Sequence, residues 1–124
     1  MKFLIVDDSS TICNVLRKHL NNLGHKDTLI ARDGVEALEL LEEGKVDILF
    51  TDFNMPNLNG LELTRVIRED QQKTSEEIKI ILLKGDHSSD NDVMSFEATG
   101  IDGRLSKPFN QDSIKAVLDS LEEV

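Results

Sequence analysis

Short apolar runs alternate along this chain with apolar stripes at helical spacing. Phe3-Leu4-Ile5-Val6 is too short for a helix and suits a strand buried on both faces. Ser9, Ser10 and Thr11 then offer N-cap hydroxyls, and Ile12, Val15, Leu16, His19, Leu20 and Leu23 follow at helical spacing. Gly24 stands where a glycine just past the last turn stops such a helix. Asp27 to Ala31 predicts a second strand, Asp33-Gly34 a turn, and Val35, Ala37, Leu38 and Leu41 a helix that Gly44 ends. Val46 to Thr51 predicts the third strand, and Asn57-Leu58-Asn59-Gly60 leads to a helix with Leu61, Leu63, Thr64 and Ile67 toward the sheet. Ile78 to Leu83 is the most apolar strand. A weaker helix is expected around Val93, Phe96 and Ala98, ending near Gly100. Gly103 to Ser106 is a short last strand, and Ile114, Val117, Leu118 and Leu121 mark the closing helix.

Strands alternating with helices in this way imply βαβ units, hence a parallel, doubly wound α/β sheet with helices on both faces. Right-handed crossovers leave few topologies open. In such sheets the functional crevice lies beyond the carboxyl ends of the strands, so the residues at those ends carry the candidate chemistry. The first strand ends in Asp7-Asp8, the third in Asp52 with Asn54 just after it, and the fifth in Lys107-Pro108. If strands one and three are neighbours, their ends lie about 4.8 Å apart. Carboxylates crowded that closely raise one another's pKa unless a cation intervenes. Hard oxygen donors around a partly hydrated position suit Mg²⁺, and the lack of a Cys/His cluster argues against zinc. A carboxylate beside Mg²⁺ and a lysine has two possible roles, as a metal ligand or as a nucleophile that attacks phosphorus. Lys107 and Mg²⁺ would neutralise the equatorial oxygens of a transferring phosphoryl group.

Charge narrows the choice of partner. Lys and Arg number 14 against 24 Asp and Glu, a net charge of −10, which repels nucleic-acid phosphates and anionic lipid headgroups. The 39% hydrophobic content supports a real core. The 124 residues suit one domain, 1–124. The single cysteine, Cys13, makes no internal disulfide and fits a reducing compartment. Asp7 and Asp8 cut the opening apolar run short of a signal peptide, and no stretch is long enough to span a membrane. A cytoplasmic domain without nucleic-acid or membrane partners is therefore expected.

Leu4-Ile5-Val6-Asp7-Asp8, Asp52-Phe53-Asn54-Met55-Pro56, Asn59-Gly60 and Lys107-Pro108-Phe109, in that order, resemble the receiver domain of bacterial response regulators. The resemblance is to single-domain, CheY-like proteins and covers essentially the whole chain. It implies a flavodoxin-like (βα)5 fold with strand order 2-1-3-4-5. It implies that Asp52 is the phosphoacceptor, Asp8 the direct metal ligand and Asp7 the acid holding metal-bound water. Asn54 would give its backbone carbonyl to Mg²⁺, and Lys107 would contact the phosphoryl group. A cis bond between Lys107 and Pro108 is implied as well. The partners implied are a histidine kinase or histidine phosphotransfer protein and a downstream target not named by the sequence.

Two positions depart from the family pattern. Receivers end the fourth strand in Ser or Thr, whereas this strand ends in Lys84-Gly85, with Ser88 or Ser89 as displaced substitutes or helix caps. Lys84 can point into the crevice or to solvent, and solvent is the expected direction. The usual aromatic switch position in the last strand holds Arg104. Asp90, Asp92 and Glu97 give the expected fourth helix an acidic face, read as solvated or as complementary to a basic partner. Cys13 reads as a partly packed helix residue without a charge partner, His19 as packed on its stripe, and His25 and His87 as loop residues. The expected function is a Mg²⁺-dependent phosphoacceptor that catalyses only its own phosphorylation and dephosphorylation. The alternative is a constitutive interaction module or phosphate sink without the Thr/Tyr relay. A phosphatase would commonly place its general acid two residues after the nucleophile, where Asn54 stands, and no phosphate-cradling loop supports flavin binding.

Overall fold

The computed structural model describes residues 1–53, 55, 57–69, 78–85 and 100–122. Strand β1 (Phe3–Val6) is fully buried because its side chains alternate between two apolar layers, Phe3 and Ile5 in one, Leu4 and Val6 in the other. β2 (Thr28–Ala31) and β3 (Ile48–Asp52) flank it in parallel, so that Val6 lies opposite both Ala31 and Thr51. β4 (Lys79–Lys84) pairs with β3, and β5 (Gly103–Ser106) with β4. The order β2-β1-β3-β4-β5 is the flavodoxin-like order that the resemblance implied.

Four described helices cover the sheet: α1 (Ser10–Asn22), α2 (Gly34–Glu43), α3 (Gly60–Glu69) and α4 (Gln111–Glu122). Leu16, Leu20 and Ile114 of α1 and α4 pack with Phe3, Ile5, Phe50 and Leu83. Ala37 of α2 and Leu63 and Ile67 of α3 pack with Leu4, Val6, Leu49 and Ile80 on the other side. Each helix starts with a side-chain cap at the carboxyl end of the preceding strand. Ser9 Oγ accepts from Ile12 N at 3.3 Å, and Asp33 Oδ1 accepts from Glu36 N at 2.8 Å. Asn59 and Glu62 cap one another reciprocally, as do Asn110 and Ser113. The four helices thus open on one rim of the sheet.

Several sequence expectations shift. Val15 and Val35, expected on the apolar stripes, are exposed. Val15 lies one residue, about 100° around the helix, from the buried Leu16, and Val35 about 200° from Ala37. The third strand starts at Ile48 rather than Val46, because Asp47 turns its side chain to cap Lys2 N at 2.8 Å. Gly24 does stop α1, with φ at +95° in the left-handed region. The helix expected around Val93, Phe96 and Ala98 lies outside the described residues, together with Asp90, Asp92, Glu97, His87, Ser88 and Ser89.

The short edge strand β5 buries only Leu105 in its core face. A clamp at its start offsets this small apolar contribution. Arg68 donates to the carbonyls of Gly100 and Ile78, both at 2.9 Å, and to Asp102 Oδ2 at 2.8 Å. Asp102 Oδ2 also accepts from Ile80 N at 2.8 Å, so one carboxylate ties α3 and β4 to the entry of β5.

Candidate metal and phosphoacceptor site

Asp7 follows β1 directly, and its backbone N–H continues the ladder by donating to Ala31 O at 3.2 Å. That register carries its carboxyl group under the rim, where it is 1% exposed. Oδ1 accepts from Ser9 N at 2.9 Å, which fixes the turn into α1. Asp8 is exposed at the rim. Asp52, the last residue of β3, has a side chain 15% exposed. The carboxylates of Asp7, Asp8 and Asp52 each offer an oxygen within 4.8 Å of the others.

Lys107 reaches this cluster from the loop after β5. Its backbone N–H donates to Lys84 O at 2.8 Å, and the peptide to Pro108 is cis, as the resemblance implied. Nζ donates to Asp7 Oδ2 and Asp52 Oδ1, each at 3.1 Å. Burial pushes the Asp52 carboxyl above the ordinary carboxylate range; the charge of Asp7 adds to this, and Lys107 only partly opposes it. For Lys107, burial disfavours its charge, but Asp52, Asp7 and the two hydrogen bonds outweigh it and raise the ammonium above its ordinary value.

The donor set fits Mg²⁺. Three carboxylates of differing burial give hard oxygens only, converging from two strand ends, with a charge density that one ammonium does not neutralise. Asp7, Asp8 and Asp52 are the residues that would hold the ion. Asn54, expected to add its carbonyl, lies outside the described residues.

Asp7, Asp8, Asp52 and Lys107 are thus brought together, whereas the expected switch positions stand apart from the carboxylates in kind. Lys84 is half-buried at the end of β4, opposite Ser106, and Arg104 is exposed on β5 opposite Leu82. Neither Lys84 nor Gly85 supplies a hydroxyl. A Cβ built on Gly85 would meet Lys107 Cδ at 3.8 Å, an ordinary contact, so this position lies beside the lysine stem.

Two neighbours escaped the sequence reading. Cys13 is fully buried rather than partly packed, and its thiol donates to Asp7 O at 3.3 Å. Burial first, and the charge of Asp7 second, push that thiol up to about 11, so the expectation that it lacked a charge partner is corrected. Arg32, just past β2, donates from Nη2 to Asp8 O at 2.8 Å. Its place just past β2 marks it as a rim residue, but only the pairing of β1 with β2 makes it a neighbour of Asp8. His25, expected in a loop, packs against Phe3 with ring centroids 4.9 Å apart and the rings tilted by 48°. His19 is half-buried, with Nδ1 3.5 Å from Gln111 Oε1.

Comparison with known proteins agrees with this arrangement. The response regulator receiver domain family matches residues 3–119. The chemotaxis protein CheY homolog of Campylobacter jejuni is 38% identical over 122 residues, covering 98% of this chain and 92% of the relative. The chemotaxis protein CheY of Pseudomonas aeruginosa is 33% identical over 123 residues, covering 99% and 97%. The crystal structure of the Vibrio cholerae chemotaxis protein CheY4 is similar with a TM-score of 0.85 at 30% identity, covering 97% of each chain. With its sheet order, its acidic rim and these relatives in agreement, the chain belongs to the response regulator receiver domain family and is of the CheY type.

Proposed function

We propose that this receiver accepts a phosphoryl group on Asp52 in a Mg²⁺-dependent reaction and signals through protein–protein contacts. The observation that carries the proposal is Lys107 Nζ, held 3.1 Å from both Asp7 and Asp52 beside a third carboxylate. A carboxylate oxygen of Asp52 attacks phosphorus on a phosphohistidine of a histidine kinase or histidine phosphotransfer protein. The phosphorus–nitrogen bond breaks, its electron pair stays on the imidazole, and Asp52 becomes an acyl phosphate. When bound, Mg²⁺ supplies neutralisation of the phosphoryl oxygens. Lys107 then turns from bridging two carboxylates to holding a phosphoryl oxygen. Asp7, Asp8 and Asp52 would hold the cation, and Asn54 would add its backbone carbonyl as the family pattern implies.

The chain is no enzyme toward other substrates, acting only on its own aspartyl phosphate. The chemotaxis relatives support a role in two-component signalling, and the net charge of −10 supports partners that are proteins rather than nucleic acids or anionic lipid. Among the described residues no helix is long and apolar enough to cross a membrane. Incubation with radiolabelled acetyl phosphate and Mg²⁺ tests the acceptor: label is expected in the native chain and absent in Asp52→Asn. Equal label in both would refute it.

A second reading has its own observation. Lys84-Gly85 beside the Lys107 stem offers no hydroxyl to draw toward a phosphoryl group. Under that reading the chain is a constitutive interaction module or phosphate sink, and its partner affinity is the same with and without the phosphoryl group.

A further inference from the structure

The turn between β2 and α2 contacts both loops that carry the acidic site, through two consecutive residues, Arg32 and Asp33. Arg32 Nη2 donates to Asp8 O at 2.8 Å, on the β1–α1 loop. Asp33 Oδ2 accepts from Asn57 Nδ2 at 2.9 Å, on the β3–α3 loop, while its Oδ1 caps α2. Asn57 holds a left-handed φ of +70°, and Gly60 N closes that loop on Phe53 O at 2.9 Å. Gly34 completes the contact. A Cβ there would lie 2.8 Å from both Cβ and the carbonyl oxygen of Leu58, so the turn packs on this loop without spare room.

We propose that Arg32 and Asp33 form a strap that ties the β1–α1 loop, and with it Asp8, to the β3–α3 loop that follows Asp52, so that Asp8 is held at its distance from Asp52 for the cation, Arg32 and Asn57 being positioning residues at its two ends. The inference rests on the Mg²⁺ site proposed above. Three like charges within 4.8 Å repel one another. Asp7 is restrained by burial, by Ser9 N and by Lys107, and Asp52 by the β3–β4 ladder. Asp8 is exposed, and the Arg32 hydrogen bond restrains its backbone. That bond is itself exposed, so it contributes little to global stability. Its effect is on where the ligand sits before the ion arrives, which is how outer residues tune metal affinity.

Electrostatics makes the test decisive. Removing the charge of Arg32 by itself draws a cation closer, whereas loss of positioning weakens binding. Mg²⁺ dissociation constants are measured by amide NMR titration at about 0.15 M salt, where charges more than about 8 Å from the ion are largely screened. The variants are Arg32→Met and Asn57→Gly, the glycine preserving the left-handed backbone without the side chain. We expect binding weakened roughly tenfold in each, with the thermal midpoint little changed, and Arg32→Lys recovering part of the loss. Unchanged or tighter Mg²⁺ binding in both variants overturns the strap and leaves the acceptor site intact. A native chain that shows no saturable response to Mg²⁺ overturns both.

Discussion

Replacing Lys107 by methionine preserves the stem and removes the charge that lies 3.1 Å from Asp7 Oδ2 and from Asp52 Oδ1. Each contact corresponds to about 5 kcal/mol of bare attraction at an effective dielectric constant of about 20. Desolvation offsets much of that, since the Lys107 side chain is only 21% exposed. What the substitution leaves behind decides the outcome: two facing carboxylates, one of them almost wholly buried. Stranding a fully buried charge costs about 3–5 kcal/mol. Asp52 has a partial escape, because its carboxyl already binds a proton more readily than usual and does so further without Lys107. We therefore expect a loss of about 2 kcal/mol at pH 7 without divalent ions, or roughly 6–10 °C in Tm for a domain of this size. The sign follows from protonation. A carboxyl whose folded pKa is raised destabilises the fold in its charged form, so the deficit grows as pH rises through that pKa and narrows near pH 4. Urea melts followed by far-UV circular dichroism suit a chain without Trp or Tyr. Added Mg²⁺ should restore the variant more than it stabilises the native protein. A variant as stable as the native chain at pH 7 in chelator would refute the repulsion on which this site is built.

Three further outcomes follow from the packing. Cys13 titrates near 11 in the fold against 9.0 ordinarily, so the folded chain keeps a proton that the unfolded chain has lost. Stability should fall by about 2–3 kcal/mol between those values. Lys107, whose stabilisation is lost only above the ordinary lysine value, adds to the fall, and comparison with Cys13→Ala isolates the thiol. Gly34→Ala drives a methyl into Leu58 and should destabilise by about 1–3 kcal/mol in a urea melt; no change would contradict the close approach. Arg68→Met removes the donor to Gly100 O, Ile78 O and Asp102, so amide exchange in β5 should accelerate well before that in β1, whereas equal protection would refute the clamp.

Much of the site was legible because strand ends are legible. Phe3–Val6 announces a doubly buried strand by composition alone, so Asp7 and Asp8 fall at its carboxyl end without any knowledge of the fold. Asp52 and Lys107 follow in the same way from the ends of β3 and β5. Their meeting needs the neighbour relation of β1 and β3, which local pattern does not carry and which came from the family resemblance. Arg32 was unreadable for the same reason. An arginine after a strand is ordinarily a solvated loop residue, and only the β1–β2 pairing brings it to Asp8. Cys13 shows the limit of stripe reasoning, since helical spacing places it inward but does not reveal the Asp7 carbonyl across from it. Val15 and Val35 show the converse, apolar residues off the buried stripe that sequence alone counts as core.

An Asp52 acceptor assembled with Lys107 and a Mg²⁺ site is best tested by amide NMR with Mg²⁺ and then beryllofluoride, a stable mimic of the phosphoryl group. Saturable Mg²⁺ shifts around Asp7 and Asp8, followed by beryllofluoride shifts around Asp52 and Lys107 that vanish in Asp52→Asn, are the predicted result. Spectra unmoved by either addition, or a beryllofluoride response that survives in Asp52→Asn, would contradict it.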